Sequence, residues 1–369
     1  MKILDETILY ENKNFYPAFP SIIGLEKNKY LVSFRLAPKS EKNYSHLHSL
    51  SKAIVSTVYK NKIVNMFELG EDDSAAKQDP QLFRADDKTI LGYYFRYSFH
   101  PINEKNLFKD YTFIEYNNSI ALLDGIGLCV SSDNGKTFSK PNIIKLKNGM
   151  KNFAIRGNMI KIENEILAPI YAYKKTSNKN KKDKYQCYII SSKDFINWEM
   201  KTLLCETEIN KNKKIEYFEP SLISYKNNNK NNIIAFIRTH FNNEYGYTSV
   251  AYSTDNGKTF SKPEATNIKG YPLNPLFLKD DKILLTYGYR LKPYGIRARI
   301  LKLSEIKNIN NIVEYIDNSS EIIIDDKMKN ADCGYPSCIN DNDNIICVYY
   351  GCNGKSAIRK IFMKKFILY

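Results

Sequence analysis

The chain has 369 residues and a formal net charge of +15, from 55 basic and 40 acidic side chains. Hydrophobic residues make up 43% and charged residues 26%, which excludes a disordered chain. No stretch approaches the roughly 18 consecutive apolar residues of a membrane-spanning helix.

The 28 tyrosines and 19 phenylalanines fall in short aromatic and β-branched runs, and long helical periodicity is nearly absent, which predicts an all-β protein. The basic excess gathers at Lys174–Lys184 and Lys211–Lys214, which read as loop tips. No nucleic-acid motif accompanies these lysines, so neither a nucleic acid nor a membrane is the expected partner. The first twelve residues lack a charged segment followed by an apolar one, so a cytoplasmic location is the expectation. The seven cysteines (Cys129, Cys187, Cys205, Cys333, Cys338, Cys347 and Cys352) are odd in number and contain no CxxC pair. That argues for buried reduced thiols over a disulfide framework or a zinc site, and no metal or cofactor is expected.

In chain order, ILDETILY (residues 3–10) reads as an outer strand. A short apolar strand led by proline then recurs: FPSIIGL from Phe19, DPQLF from Asp79, EPSLISY from Glu219, NPLFL from Asn274 and YPSCI from Tyr335. RGNMIKI, from Arg156, fills the long gap, with glycine in place of proline. Proline suits the first position of a strand, where a missing N–H is tolerated. A second strand follows each unit after a polar turn: KYLVSFR, TILGYYFRY, EILAPIYAY, NIIAFIRTH, KILLTYGYR and NIICVYYG. A third follows each of these, as in AIVSTV, GLCVSS and SVAYST. Units of about 60 residues fit the chain six times, which predicts a six-bladed β-propeller, one domain over residues 1–369, closed by residues 3–10 as the outer strand of the last blade.

The nonapeptide DNGKTFSKP occurs at Asp133–Pro141 and again at Asp255–Pro263, and SSKDFINW (Ser191–Trp198) is a degenerate third copy. In such an element Ser and Asp bond the amides of a tight hairpin, Gly takes a positive φ, and the aromatic plugs the gap between strands. Asp133, Asp194 and Asp255 are therefore expected to be structural.

SSDNGKTF (Ser131–Phe138), STDNGKTF (Ser253–Phe260) and SSKDFINW resemble Asp-boxes, also called BNR repeats, and with six units the chain resembles the sialidase (neuraminidase) superfamily. The resemblance implies a sialidase-like propeller that hydrolyses a terminal acidic sugar from a glycan. It also implies three arginines on the sugar carboxylate, a nucleophilic tyrosine with an activating glutamate, and an acid/base aspartate. Glu219 in FEPSLISY is similar to the activating glutamate, and Tyr335 in CGYPSC to the nucleophile. Arg238 in FIRTH resembles the second triad arginine and Arg297 in PYGIRARI the third, with Arg299 ranked below it. Asp79 resembles a substrate-contacting aspartate and Arg35 an accessory arginine. Two places differ from the family. Ala18 and Phe19 stand where the first triad arginine belongs, leaving its role to Arg35 or Arg156. The loop after Arg35, LAPKSEKNYSHLHS, has no aspartate, leaving proton transfer to Glu41, His46 or His48.

Asp79, Arg156, Glu219, Asn274 and Tyr335 all precede or open an innermost strand, so they are expected to ring one mouth of the channel. A tyrosine is a poor nucleophile at its ordinary pKa of about 10, and a neighbouring carboxylate that takes its proton remedies this. An uncharged nucleophile also avoids repulsion where the anomeric carbon carries a carboxylate. His100 and His240 are expected in solvated loops. Another carbohydrate-active enzyme, such as a lyase or transferase, or a non-catalytic glycan-binding propeller are the alternatives on the same scaffold.

Overall fold

The structure, a computed structural model, describes the whole chain except residues 40–45, 110, 112, 147–149, 151, 175–183, 211–212, 228–229 and 355–356. Six antiparallel sheets form the six blades of a β-propeller. The first blade runs outward from Phe15–Glu26 through Lys29–Pro38 and Lys52–Tyr59 to Lys62–Glu68. The innermost strands of the other blades are Ala76–Arg84, Phe153–Ile155, Lys213–Asn227, Leu273–Leu278 and Gly334–Asp341. The N-terminal strand Lys2–Glu11 pairs antiparallel with Lys360–Ile367 and so completes the sixth blade from the opposite end of the chain.

The continuous apolar runs follow from this geometry, because a blade strand is covered on both faces by the neighbouring blades. Each of six buried clusters lies between two adjacent blades. The cluster between the last and first blades, for example, joins Phe34 and Val32 to Val348 and Ile361. Polar side chains at or next to the recurring prolines tie the innermost strands to one another. Ser337 Oγ accepts the N–H of Ile22 (3.2 Å), Ser21 Oγ that of Leu82 (3.3 Å) and Ser221 Oγ that of Asn158 (3.1 Å). All seven cysteines are buried thiols.

The Ser–Asp turns sit at the blade edges. Asp133 accepts from Ser131 Oγ (2.8 Å), the Thr137 hydroxyl (2.6 Å) and the N–H groups of Lys136 and Thr137 (3.0 Å each). Asp255 repeats the pattern with Ser253 and Thr259. In the third copy the bonding serine is Ser192, one residue later than the sequence alignment from Ser191, and Asn197 replaces the threonine. Gly135 has φ +80°, and a Cβ there would lie 2.3 Å from Leu31 of the preceding blade, so glycine is required for close packing as well as for the turn. Phe138, Trp198 and Phe260 are wedged between blades, which is a wider gap than the one between strands.

Candidate active site

Four innermost strands carry a β-bulge at the residue before the proline, where pairing with the second strand slips: between Ala18 and Ser21, Gln78 and Gln81, Phe218 and Ser221, and Gly334 and Ser337. The residues at the bulges, Phe19, Asp79, Glu219 and Tyr335, all have positive φ, between 45° and 56°. Such a backbone is strained for a side chain with a Cβ, by about 1–3 kcal/mol, and clusters at functional sites. Here it turns three chemistry-bearing side chains and one phenyl ring toward the axis. In the third blade Gly157 takes the corresponding place at φ +136°, with Arg156 just before it; a Cβ on Gly157 would lie 2.2 Å from the Pro220 carbonyl oxygen.

Tyr335 and Glu219, 116 residues apart in sequence, meet here: the tyrosine hydroxyl donates to Glu219 Oε1 at 2.9 Å. Arg238 donates through one terminal nitrogen to both Glu219 oxygens (3.1 Å each). Burial works to raise the Glu219 pKa, but the Arg238 charge and the bonds from Tyr335 and Arg238 prevail and hold it below the ordinary value. Burial, then the Glu219 charge, push the Tyr335 hydroxyl well above its ordinary value. The resting pair is therefore a neutral phenol donating to a carboxylate. The other terminal nitrogen of Arg238 lies 3.1 Å from His240 Nε2. Burial, then Arg238, bring the His240 pKa down to about 4, so the neutral ring accepts from Arg238 and steadies it. His240 is thus a half-buried support for Arg238 and no solvated loop residue.

Asp79 stands beside Arg156, with the guanidinium Nε 3.7 Å from a carboxylate oxygen. Burial pushes the Asp79 pKa up to about 7, Arg156 opposes this, and Glu219 adds to it. The Arg156 guanidinium also lies 4.8 Å from the Tyr335 ring centre, and that of Arg290 lies 5.6 Å from it. Arg156 Nε, Arg238 Nε and one terminal nitrogen of Arg290 are buried without a hydrogen-bond partner among the described residues. These donors remain for an anionic ligand. Arg35 is fully buried on the first blade, faces the Tyr16 ring at 5.8 Å, and has its pKa lowered to about 10 by burial.

Several expected site residues are engaged elsewhere. Arg297 donates to the carbonyls of Asp325 (2.6 Å) and Pro293 (3.0 Å) and lies 3.6 Å from Glu321. It ties strand Gly295–Lys302 to the outer strand of its own blade, whereas Arg290, at the end of the preceding strand, reaches the mouth. Arg299 donates to the Ile316 carbonyl (2.9 Å) and is likewise engaged away from the axis. Asn274 has no bulge beside it: it pairs straight across to Thr286, donates to Asn158 Oδ1 (3.0 Å) and accepts from the Cys338 N–H (3.1 Å). It joins three blades instead of facing a ligand. His48 makes a local bond, Nδ1 accepting the Leu50 N–H (3.0 Å), and burial, then Arg35, lower its pKa. Neither favours a proton donor. Glu41 lies outside the described residues. Arg290 had a signal in the sequence: the run KILLTYGYR ends in arginine just as SFR and FIR do.

A family model for the BNR repeat-like domain matches residues 72–348. A search of curated proteins finds no match. Among solved structures, a protein of unknown function from Dyadobacter fermentans superposes with a TM-score of 0.81 at 24% identity, over 100% of this chain and 99% of its own. The Hadza microbial sialidase Hz136 superposes with a TM-score of 0.65 at 14% identity, over 95% of this chain and 66% of the sialidase. The Penicillium chrysogenum alpha-L-arabinanase, solved with arabinobiose, gives a TM-score of 0.60 at 10% identity, over 98% of each chain.

Proposed function

The chain belongs to the BNR repeat-like family, built as a sialidase-like propeller, and from that premise we propose that it is a glycosidase that hydrolyses a terminal acidic sugar, of the sialic-acid or another nonulosonic kind, from a glycan. The observation that carries the proposal is the 2.9 Å bond from Tyr335 to Glu219 among arginines that keep buried N–H groups for an anion. Tyr335 attacks the anomeric carbon while its proton passes to Glu219, which Arg238 has kept ionised. The guanidiniums of Arg156 and Arg290 against the Tyr335 ring stabilise the phenolate character that develops during attack and departure. Their remaining donors, with those of Arg238, bind the sugar carboxylate.

A second reading, a glycosidase for a neutral sugar, is favoured by Phe19, which stands where the resemblance implies the first arginine and packs on Tyr335 at 4.6 Å. One assay separates the two. Wild type and Tyr335→Phe are given 4-methylumbelliferyl N-acetylneuraminate and the corresponding arabinoside. Turnover of the acidic glycoside, falling at least about 1,000-fold in the folded variant, supports the first reading. Turnover of the arabinoside alone supports the second.

A further inference from the structure

Asp332 is a carboxylate on which four side chains converge, and no step above uses it. Its oxygens accept from the hydroxyls of Tyr16 (2.6 Å) and Tyr350 (2.8 Å) and from Arg359 (2.8 and 2.9 Å). The fourth partner is His46, whose Nε2 lies 3.2 Å from Oδ1. Burial works to raise the Asp332 pKa, but His46, Arg359 and Tyr16 together hold it far below the carboxylate range. An ionised carboxylate only accepts, so Nε2 of His46 carries a proton and Nδ1 is the nitrogen left to exchange one. Nδ1 has no partner among the described residues, and the side chain is 49% exposed, unlike the buried groups behind it. The ring edge packs on Phe19 at 5.1 Å, and Phe19 packs in turn on Tyr335 at 4.6 Å. His46 therefore stands one ring away from the nucleophile, on the open side of the mouth, fixed by a residue from another blade.

We propose that His46, oriented by Asp332, is the proton donor and acceptor of the reaction, in the loop where the aspartate is missing. The proposal rests on the glycosidase reading above. In the first step the imidazolium gives its Nδ1 proton to the glycosidic oxygen as the bond from that oxygen to the anomeric carbon breaks. The bond from the carbon to Tyr335 forms, and the tyrosine proton goes to Glu219. In the second step neutral His46 takes a proton from the attacking water. The sugar–tyrosine bond breaks, and Glu219 returns its proton to the phenolate. Protons balance over the cycle, and no other reactant than water is needed.

The test compares two substrates of one sugar: 3′-sialyllactose, whose leaving group needs a proton, and 4-methylumbelliferyl N-acetylneuraminate, whose leaving group does not. His46→Gln keeps a donor for Asp332 but cannot relay a proton. It is expected to lower kcat/KM about 100-fold or more on the lactoside and less than about 10-fold on the aryl glycoside. His46→Ala should behave alike. Equal losses on both substrates, or recovery of the lactoside rate in His46→Gln over His46→Ala, would mark a structural role and overturn the proposal. Wild-type turnover of both substrates with no effect of His46→Gln overturns it too, while leaving the reading of Tyr335 and Glu219 intact. Failure of wild type on both substrates overturns that reading and the proposal together.

Discussion

The outer hairpins and the axial mouth use the same residue types in repeated, left-handed turns, with opposite outcomes. Asp133 sits in a turn that supplies its own donors. The Thr137 hydroxyl and N–H, with Ser131 and Lys136, pull its pKa down to about 2, although it lies at the surface and is only half-buried. Asp79 sits at a bulge on an innermost strand, where burial pushes its pKa up to about 7 and the nearest cation, Arg156, is 3.7 Å away. The arginines divide in the same way. Arg297 bonds backbone carbonyls within its own blade, while Arg290 keeps a buried donor unmatched beside Tyr335. At the mouth, buried donors left open stand beside Tyr335, whereas Arg297 is bonded within its own blade.

The largest effect that can break this contrast is on substrate binding. Arg290→Lys should raise KM for the acidic glycoside about 10- to 100-fold, since an ammonium cannot replace the planar guanidinium, while the melting temperature changes little. Arg297→Lys should leave KM unchanged and destabilise the fold by about 1–3 kcal/mol, by uncoupling a buried donor from its carbonyls. The reverse pattern would place the third arginine at Arg297 after all.

A smaller effect concerns pH and stability. The folded pKa of Asp79 lies above its ordinary value of 3.8, so the native state holds the proton more tightly and its ionisation weakens the fold. Asp79→Asn should therefore gain stability relative to wild type as pH rises from about 4 to about 7, with no difference below that window. Asp133 has the opposite sign, because its folded pKa is depressed. Its contribution is present at neutral pH and lost as pH falls from 3.8 towards about 2. Asp133→Ala should cost about 1 kcal/mol at pH 7, on the scale of a lost local cap, with kcat/KM unchanged. Urea titrations of both variants between about pH 2 and 8 check the two slopes, and slopes of the same sign would remove the contrast.

The blades were legible in the sequence because three signals share one period: the leading proline, the apolar run and the Ser–Asp turn. Glu219 and Tyr335 were legible for the same reason, since each precedes one of those prolines. Asn274 occupies the same place in the pattern but lacks the bulge, and a bulge leaves no mark in residue type when the next residue is proline in either case. Arg290 ends its run as Arg238 nearly ends its own, but the resemblance of PYGIRARI points to Arg297 instead. His46 and Asp332 lie in loops and His240 near the end of strand Lys230–Phe241, where no period indicates a partner, and their roles depend on contacts 286 residues apart in one case and two in another.

The central claim is that Tyr335 becomes covalently bound to the substrate sugar. Incubation with 2,3-difluorosialic acid followed by intact and peptide mass spectrometry tests it most directly. The account predicts one added sugar on the peptide containing Tyr335 in the wild type, slower labelling in Glu219→Gln, and none in Tyr335→Phe. No adduct, or an adduct on Glu219 or Asp79, would contradict it.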